Sequence, residues 1–241
     1  MSMVKCKEIL REARRIVFFG GAGVSTDSGI PDFRGSAGLY EEKSFFGERP
    51  ETILSGDYLA QNPHNFYAYY RENMLYPEAK PNDAHRILAK WEREGKLSAV
   101  VTQNIDGLHQ MAGSQNVLEL HGSVLRNYCT HCGKEFDLSH IVKEKDLPLC
   151  DACGGIVRPC VVLYGEGLDM SVFRAAEKEI AAADVLLVGG TSLSVYPAAS
   201  LVHAFRGEHF LIVNRTQTPY DRYAEHVIHD SLADVLRQWD V

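Results

Sequence analysis

Nowhere in the 241-residue chain is there an apolar run approaching the roughly 20 residues that a membrane-spanning helix needs. The longest, such as residues 184–190 (DVLLVGG), are far shorter. Residues 1–8 (MSMVKCKE) lack the apolar stretch of a secretory signal, so a cytoplasmic protein with no membrane partner is expected. Basic residues are not in excess either. The 25 Lys and Arg stand against 32 Asp and Glu, and a net charge of -7 offers no overall footprint for nucleic acid. Direct nucleic-acid binding is therefore not expected; a charge this modest serves solubility and would also suit lysine-rich protein partners. Internal repeats and low-complexity tracts are missing as well. With 45% hydrophobic and 24% charged residues, the composition is that of a folded chain, and the length suits one large domain with a small insert. A monomer is expected.

What is present is an alternation of periods. Residues 5–15 have helical spacing and run into an apolar strand at 16–19. A second helix is predicted from 80–83 through Glu94, stopped by Gly95, and a second strand at 98–102. Helices over 171–183 and 197–205 precede strands at 185–188 and 210–213. Helices alternating with short buried strands predict an α/β fold, a parallel sheet with helices on both faces. Polar and glycine residues follow each strand: GGAG at 20–23, QNIDG at 103–107, GGTS at 189–192 and NRT at 214–216. The carboxyl ends of the strands, where open parallel sheets bind ligands, are thus chemically furnished.

Two segments interrupt the alternation. Residues 36–79, with the aromatic stretch FYAYY at 66–70, read as mainly helical and as a cover for one side of the cleft. Residues 125–157 carry four of the six cysteines. Cys129 and Cys132 form one C-x2-C pair and Cys150 and Cys153 another, at the spacing of a zinc ribbon. Four thiolates complete a tetrahedral Zn2+ shell and leave no open position, so one structural metal per chain is expected. His131 is expected at the surface, and Cys6 and Cys160 have no partner at useful spacing. Around the ribbon, Lys134, Lys143 and Lys145 are offset by Glu135, Asp137, Glu144, Asp146 and Asp151, which argues against a phosphate-binding patch.

The loop after the first strand, GGAGVSTDSGIPDFRG at 20–35, suggests backbone amides and hydroxyls turned towards a pyrophosphate. It is an incomplete dinucleotide fingerprint. Counted from Gly21, the third glycine would fall at Thr26, and no acidic residue ends a second strand at the distance a ribose ligand requires. Its continuation is more specific. GAGVSTDSGIPDFR (21–34) resembles the signature of the sirtuins, NAD-dependent protein lysine deacylases. TQNIDGLH (102–109), LELHG (118–122), the paired cysteines, RPCVVLYGE (158–166), GGTS (189–192) and VN (213–214) resemble further motifs of that family, in its order and across nearly the whole chain.

The resemblance implies a Rossmann-like NAD-binding domain of residues 1–35, 77–124 and 158–241, a helical cofactor-loop module of 36–76 and a zinc-ribbon module of 125–157. It also implies a reaction. The acyl oxygen of a modified lysine attacks the nicotinamide ribose carbon of NAD, nicotinamide leaves and an alkylimidate forms. A histidine then acts as general base on the ribose hydroxyls, and the acyl group departs as O-acyl-ADP-ribose. His121 matches that histidine, and an imidazole with a pKa near 6.5 is chemically suited to the work; His85 and His109 are expected to be structural.

By the same resemblance Ile30, Phe33, Ile105 and Asp106 line the nicotinamide pocket, and Asp32 and His121 belong to the cofactor-binding set. Ala22, Gly23, Ser25, Thr26 and Arg34 contact pyrophosphate or the adjoining sugar. Gln103 and Asn104 lie by the ribose, and Gly189, Thr191, Ser192 and Asn214 hold the adenosine end. Acyl-lysine peptides add as a strand between residues 162–165 and 193–196, which makes Val162, Tyr164, Gly165 and Val195 substrate-binding. Relatives that prefer succinyl or malonyl lysine carry Tyr-x-x-Arg in the helical segment. Here Tyr67 is followed by Tyr70, and Arg71 is one position off, a turn of about 100° on a helix. An apolar acyl pocket and deacetylase activity follow as the expectation. Two other outcomes use the same motifs: mono-ADP-ribosyl transfer from the same NAD site, and a non-catalytic NAD- or zinc-binding module.

Overall fold

Strands β1 (Ile16–Gly20), β2 (Leu97–Thr102) and β3 (Val117–Glu119) come first along the chain. A separate trio follows, β4 (Gly122–Cys129), β5 (Glu135–Asp137) and β6 (Val157–Val161), before β7 (Val185–Gly189), β8 (His209–Val213) and β9 (His226–Ile228) return to the first sheet. The computed structural model describes residues 2–32 and 45–240. Its larger sheet is six-stranded, ordered β3-β2-β1-β7-β8-β9, and parallel at every pairing. The chain winds outward from β1 to β3, then crosses back to β7 and winds the other way. The connections from β1 and β7 therefore leave for opposite faces of the sheet, and the carboxyl ends of these two strands are the usual ligand position in a doubly wound sheet.

Every residue of β1 is buried, because helices cover both faces. Helices α1 (Ser2–Glu12), α2 (Pro50–Ile53), α3 (Gly56–Gln61), α4 (Pro63–Asn73) and α5 (Asp83–Arg93) precede α6 (Leu108–Ala112), α7 (Leu138–Lys143), α8 (Met170–Ala181) and α9 (Leu232–Trp239). On one face Leu10 of α1, Trp91 of α5 and Trp239 of α9 pack with Phe18, Val100 and Leu187. On the other, Ala176 and Ile180 of α8 pack with Val17, Phe19 and Val188. The predicted second helix starts at its cap: Asn82 Oδ1 accepts the Ala84 amide at 2.9 Å, and Gly95, at φ +77°, turns the chain out of α5.

Three local expectations are corrected. The first helix stops at Glu12, since the amides of Arg14 and Arg15 donate instead to the Asp184 carboxylate at 2.8 and 2.9 Å. Residues 198–204 form a 3-10 rather than an α-helix; there the Ser200 hydroxyl donates to the Pro197 carbonyl and competes with the backbone ladder. Edge strands β3 and β9, three half-buried residues each, carry no apolar run and were not anticipated.

A third cluster joins α2–α4 to the three-stranded antiparallel sheet β5-β4-β6 through Ile53, Phe66, Tyr70, Val157 and Leu163. The Tyr67 hydroxyl donates to the Val157 carbonyl, and Arg71 donates to the carbonyls of Ile141, at 3.0 Å, and Asp146. The helical segment and the cysteine-bearing segment are thereby fastened to one another.

Candidate active site

The loops after β1 and β7 touch through glycine. Gly23 donates its amide to the Gly190 carbonyl at 2.8 Å, and a Cβ on Gly23 would meet the Gly190 Cα at 2.8 Å, closer than real side chains stand. Gly190 itself sits at φ +61°. The amides of Gly23, Val24 and Ser25 are all taken, by the carbonyls of Gly190, Gly21 and Ala22. The amide of Ala22, at the start of this short turn, makes no hydrogen bond within the described residues. The loop thus offers a bound anion the Ala22 amide and the nearby hydroxyls rather than a fan of amides.

A cavity of about 870 Å3 follows the carboxyl ends of the strands, within the range of ordinary cofactor and ligand sites. Ala22, Gly23, Ser25, Thr26, Ile30, Asp32, Gln103, Asn104, Ile105, Asp106, His121, Thr191, Ser192 and Asn214 all line it, as do Val162, Tyr164, Gly165 and Val195. Gly189 does not; it packs on Leu232 and Phe18 within the sheet, and Gly190 lines the cavity in its stead. Phe33 and Arg34 lie outside the described residues. Arg215, of the NRT stretch after β8, also lines the cavity, as do Asp230 and Leu232, which were not foreseen. The last two follow β9, so the missing signal was the strand itself.

His121 lies between β3 and β4, with its Nδ1 3.0 Å from the Gln103 carbonyl oxygen. A carbonyl only accepts, so Nδ1 carries the proton and Nε2 keeps its lone pair. Burial pushes the imidazole below its ordinary pKa, against the opposing pull of that carbonyl. At neutral pH the ring is therefore an unprotonated base.

Behind the glycine loop, the Ser25 hydroxyl donates to Asp106 Oδ2 at 2.6 Å and accepts from Asn104 Nδ2 at 3.1 Å. Asp106 Oδ1 accepts the Leu108 amide at 2.9 Å. Burial raises the Asp106 carboxyl above its usual range, while these two hydrogen bonds hold it down in part. Because Ser25 gives its one proton to Asp106, Asn104 must present its amide nitrogen to the serine, which leaves Oδ1, with no hydrogen bond among the described residues, for a ligand hydroxyl. Gln103 Nε2 donates to Thr191 Oγ1 at 3.0 Å and ties the loop after β2 to the loop after β7.

The two segments expected to flank a peptide have unused backbone. Amides of Gly165, Ser194 and Val195 make no hydrogen bond within the described residues. Residues 162–166 are nevertheless held firmly: Val162 donates to the His121 carbonyl at 3.0 Å, and Arg158 grips Glu166 with two bonds of 2.8 and 3.0 Å.

Residues 21–197 match the Sir2 family. The chain belongs to that family. It is 55% identical over 231 residues to the NAD-dependent protein deacetylase of Clostridium acetobutylicum, covering 95% of this chain and 94% of the relative, and 54% identical to that of Clostridium tetani with the same coverage. A solved Sir2 structure with a deacetylated p53 peptide and 3'-O-acetyl ADP ribose superposes with a TM-score of 0.89 at 39% identity, covering 99% of this chain and 97% of the other. A Sir2 complex with p53 peptide and NAD+ gives 0.86 at 38% identity, with the same coverage.

Like the site, the cysteine module of this Sir2 chain is built from its local turns. Gly133 and Gly154, at φ +73° and +72°, close two knuckles by donating to the carbonyls of Cys129 and Cys150. The four Sγ atoms lie within 4.8 Å of one another, with Cys129 to Cys153 at 3.4 Å and Cys132 to Cys150 at 3.6 Å. A tetrahedron with Zn–S bonds of about 2.3 Å has edges of about 3.8 Å, so the donor set fits Zn2+. A Cβ on Gly155 would come within 3.0 Å of Cys129 Sγ, so that glycine keeps the cradle open. His131 is exposed and stands outside the thiolate group.

Tyr67 and Tyr70 of the Sir2 helical segment are buried in the third core cluster, and neither lines the cavity. Arg71 is turned to the carbonyls of the cysteine module. Leu54, Met74, Val124 and Leu163 form the cavity wall on this side. His85 and His109 are fully buried against each other, outside the cavity, with ring centroids 4.8 Å apart.

Proposed function

We propose that the chain is an NAD-dependent protein lysine deacetylase in which His121 is the general base. The hydrogen bond from His121 Nδ1 to the Gln103 carbonyl carries the reading, because it leaves a neutral Nε2 lone pair on the wall of a cavity that also holds Asn104 and Asp106.

NAD suits the residues present: the Ala22 amide, the hydroxyls of Ser25, Thr26 and Thr191, and the Asn104 Oδ1 are donors and acceptors for phosphate and sugar. When bound it supplies the electrophile, the ribose carbon from which nicotinamide departs. This chain does the rest. Asn104 and Gln103 hold the ribose end, and Ser25 fixes both Asn104 and Asp106. Ile30, Ile105 and Asp106 enclose the nicotinamide end, and Asn214, Thr191 and Ser192 the adenosine end. His121 Nε2 takes a proton from a ribose hydroxyl and so makes that oxygen nucleophilic towards the acyl carbon. A peptide strand between 162–165 and 193–196 would use the unpaired amides of Gly165, Ser194 and Val195.

With Arg71 turned away, the wall formed by Leu54, Met74, Val124 and Leu163 suits a neutral acyl chain such as acetyl. Bound Zn2+ supplies a cross-link that holds the two cysteine knuckles together. None of the described helices is long and apolar enough to cross a membrane, and no disulfide joins any of the six cysteines, which suits a reducing cytoplasm.

The test is to incubate the protein with NAD and acetyl-lysine peptides and to follow products by mass spectrometry. Nicotinamide and O-acetyl-ADP-ribose should appear in equal amounts, and only when peptide is present. ADP-ribose attached to protein with acetyl-lysine untouched would favour the transferase outcome instead.

A further inference from the structure

Among the described residues Arg215 is the only lysine or arginine that lines the cavity, and the chemistry above gives it no work. Its backbone starts from a fixed point. The neighbouring Asn214 donates its amide to the Ile228 carbonyl at 3.0 Å, and His229 Nδ1 donates to the Asn214 carbonyl at 3.0 Å, which ties the carboxyl end of β8 to that of β9. Its charge is already engaged. Arg215 Nη2 donates to Asp27 Oδ1 at 3.0 Å, from the loop after β8 to the glycine loop after β1.

Asp27 is aimed from a second side as well. Its Oδ2 accepts the Ser231 hydroxyl at 2.9 Å, and Ser231 Oγ in turn accepts the Asp234 amide at the start of α9. Asp230, the residue before that serine, also lines the cavity. In the parallel register Val213 pairs with Ile228, so Arg215 and Asp230 stand level, each two residues beyond its strand partner. Asp230 Oδ1 accepts the Ser231 amide at 2.7 Å, and Oδ2 makes no hydrogen bond among the described residues. Two carboxylates thus surround one guanidinium, and the group as a whole is negative.

Dinucleotide sites distinguish NAD from NADP at the adenosine ribose: a carboxylate accepts the 2'-hydroxyl of NAD, whereas an unpaired guanidinium receives the 2'-phosphate of NADP. Both kinds of group are present at this end of the cavity, with the guanidinium taken. Resting on the NAD reading given above, which puts the adenosine end at Asn214, we propose that Asp27 is a specificity-determining residue that holds Arg215 away from the cofactor and, together with Asp230, selects NAD against NADP. A 2'-phosphate would have to displace Asp27 from Arg215 and remain beside both carboxylates. Selection acts on dinucleotide affinity and not on the acyl transfer.

Kd values for NAD and for NADP, measured by isothermal titration calorimetry without peptide, test this on the wild type, Asp27→Asn, and the double variant Asp27→Asn with Arg215→Ala. Asparagine keeps an oxygen for the Ser231 hydroxyl and removes the charge. The wild type should bind NAD at least about tenfold more tightly than NADP. Asp27→Asn should bind NADP about tenfold more tightly than the wild type does, with NAD affinity changed by less than about twofold, and the gain should shrink in about 0.5 M salt. Adding Arg215→Ala should abolish the gain, which a general loosening of the loop would not require. Equal wild-type affinity for the two dinucleotides, an Asp27→Asn effect that is the same on both, or a gain that survives loss of Arg215 would overturn the proposal and leave the deacetylase reading standing. Wild-type protein that bound neither dinucleotide would overturn both.

Discussion

Asn82 Nδ2 donates to the Val24 carbonyl at 2.8 Å while Oδ1 of the same amide caps α5. It also donates to the Ser28 hydroxyl at 3.0 Å, so one buried side chain joins the start of a core helix to the loop that lines the cofactor cavity. Asn82→Ala should cost about 1–2 kcal/mol through the lost cap and the unpaired Val24 carbonyl. Urea unfolding would show the loss as a lower midpoint with unchanged slope, and the KM for NAD should rise more than that for peptide. Unchanged stability and NAD affinity would show that the loop is held by other contacts.

His85 and His109 set an acid limit on the fold. Neither nitrogen of His109, nor Nε2 of His85, has a hydrogen-bond partner within the described residues. Burial pushes His85 down to about 4 and His109 well below its ordinary value. In the unfolded chain both titrate near 6.5, so between pH 6.5 and 4 the unfolded state binds protons that the folded state refuses. Stability is therefore full above about pH 6.5 and falls as the pH drops, by up to about 1.4 kcal/mol per unit for each ring. His109→Leu should shallow that fall by about 1 kcal/mol per unit between pH 6 and 5, measured as urea midpoints across pH. An acid slope identical to that of the wild type would contradict this origin.

Cys150 ties the metal site to the third core cluster, where it is buried together with Cys129. Cys150→Ser should lose most of its zinc, measured by a colorimetric chelator after unfolding. It should also melt at a lower temperature, because α4 is fastened to this module through Tyr67 and Arg71. Full zinc content with unaltered melting would rule out a structural four-thiolate site.

Strands β1, β2, β7 and β8 were legible because strands buried on both faces must be continuously apolar. The edge strands β3 and β9 are three half-buried residues each, so neither strand nor the Asp230 and Leu232 beyond β9 could be read. The cysteines were legible from spacing alone, since two knuckles fix where four thiolates converge. His121 was not: among ten histidines its place depends on a hydrogen bond to Gln103, a residue distant in the chain, and the family resemblance pointed to it. Gly23 was read as contacting pyrophosphate or the adjoining sugar; that its lack of a Cβ also serves the approach of Gly190 was not legible. Close contact between two loops leaves no mark at either one alone.

In the proposed reaction one neutral imidazole, His121, held through its Nδ1 by a backbone carbonyl, drives acyl transfer in this cavity. Its most direct test is the rate of O-acetyl-ADP-ribose formation by His121→Ala, under saturating NAD and acetyl-lysine peptide, beside the wild type. The rate should fall by at least about 100-fold, with zinc content and melting temperature maintained. A folded, zinc-loaded variant that formed the product at the wild-type rate would contradict it.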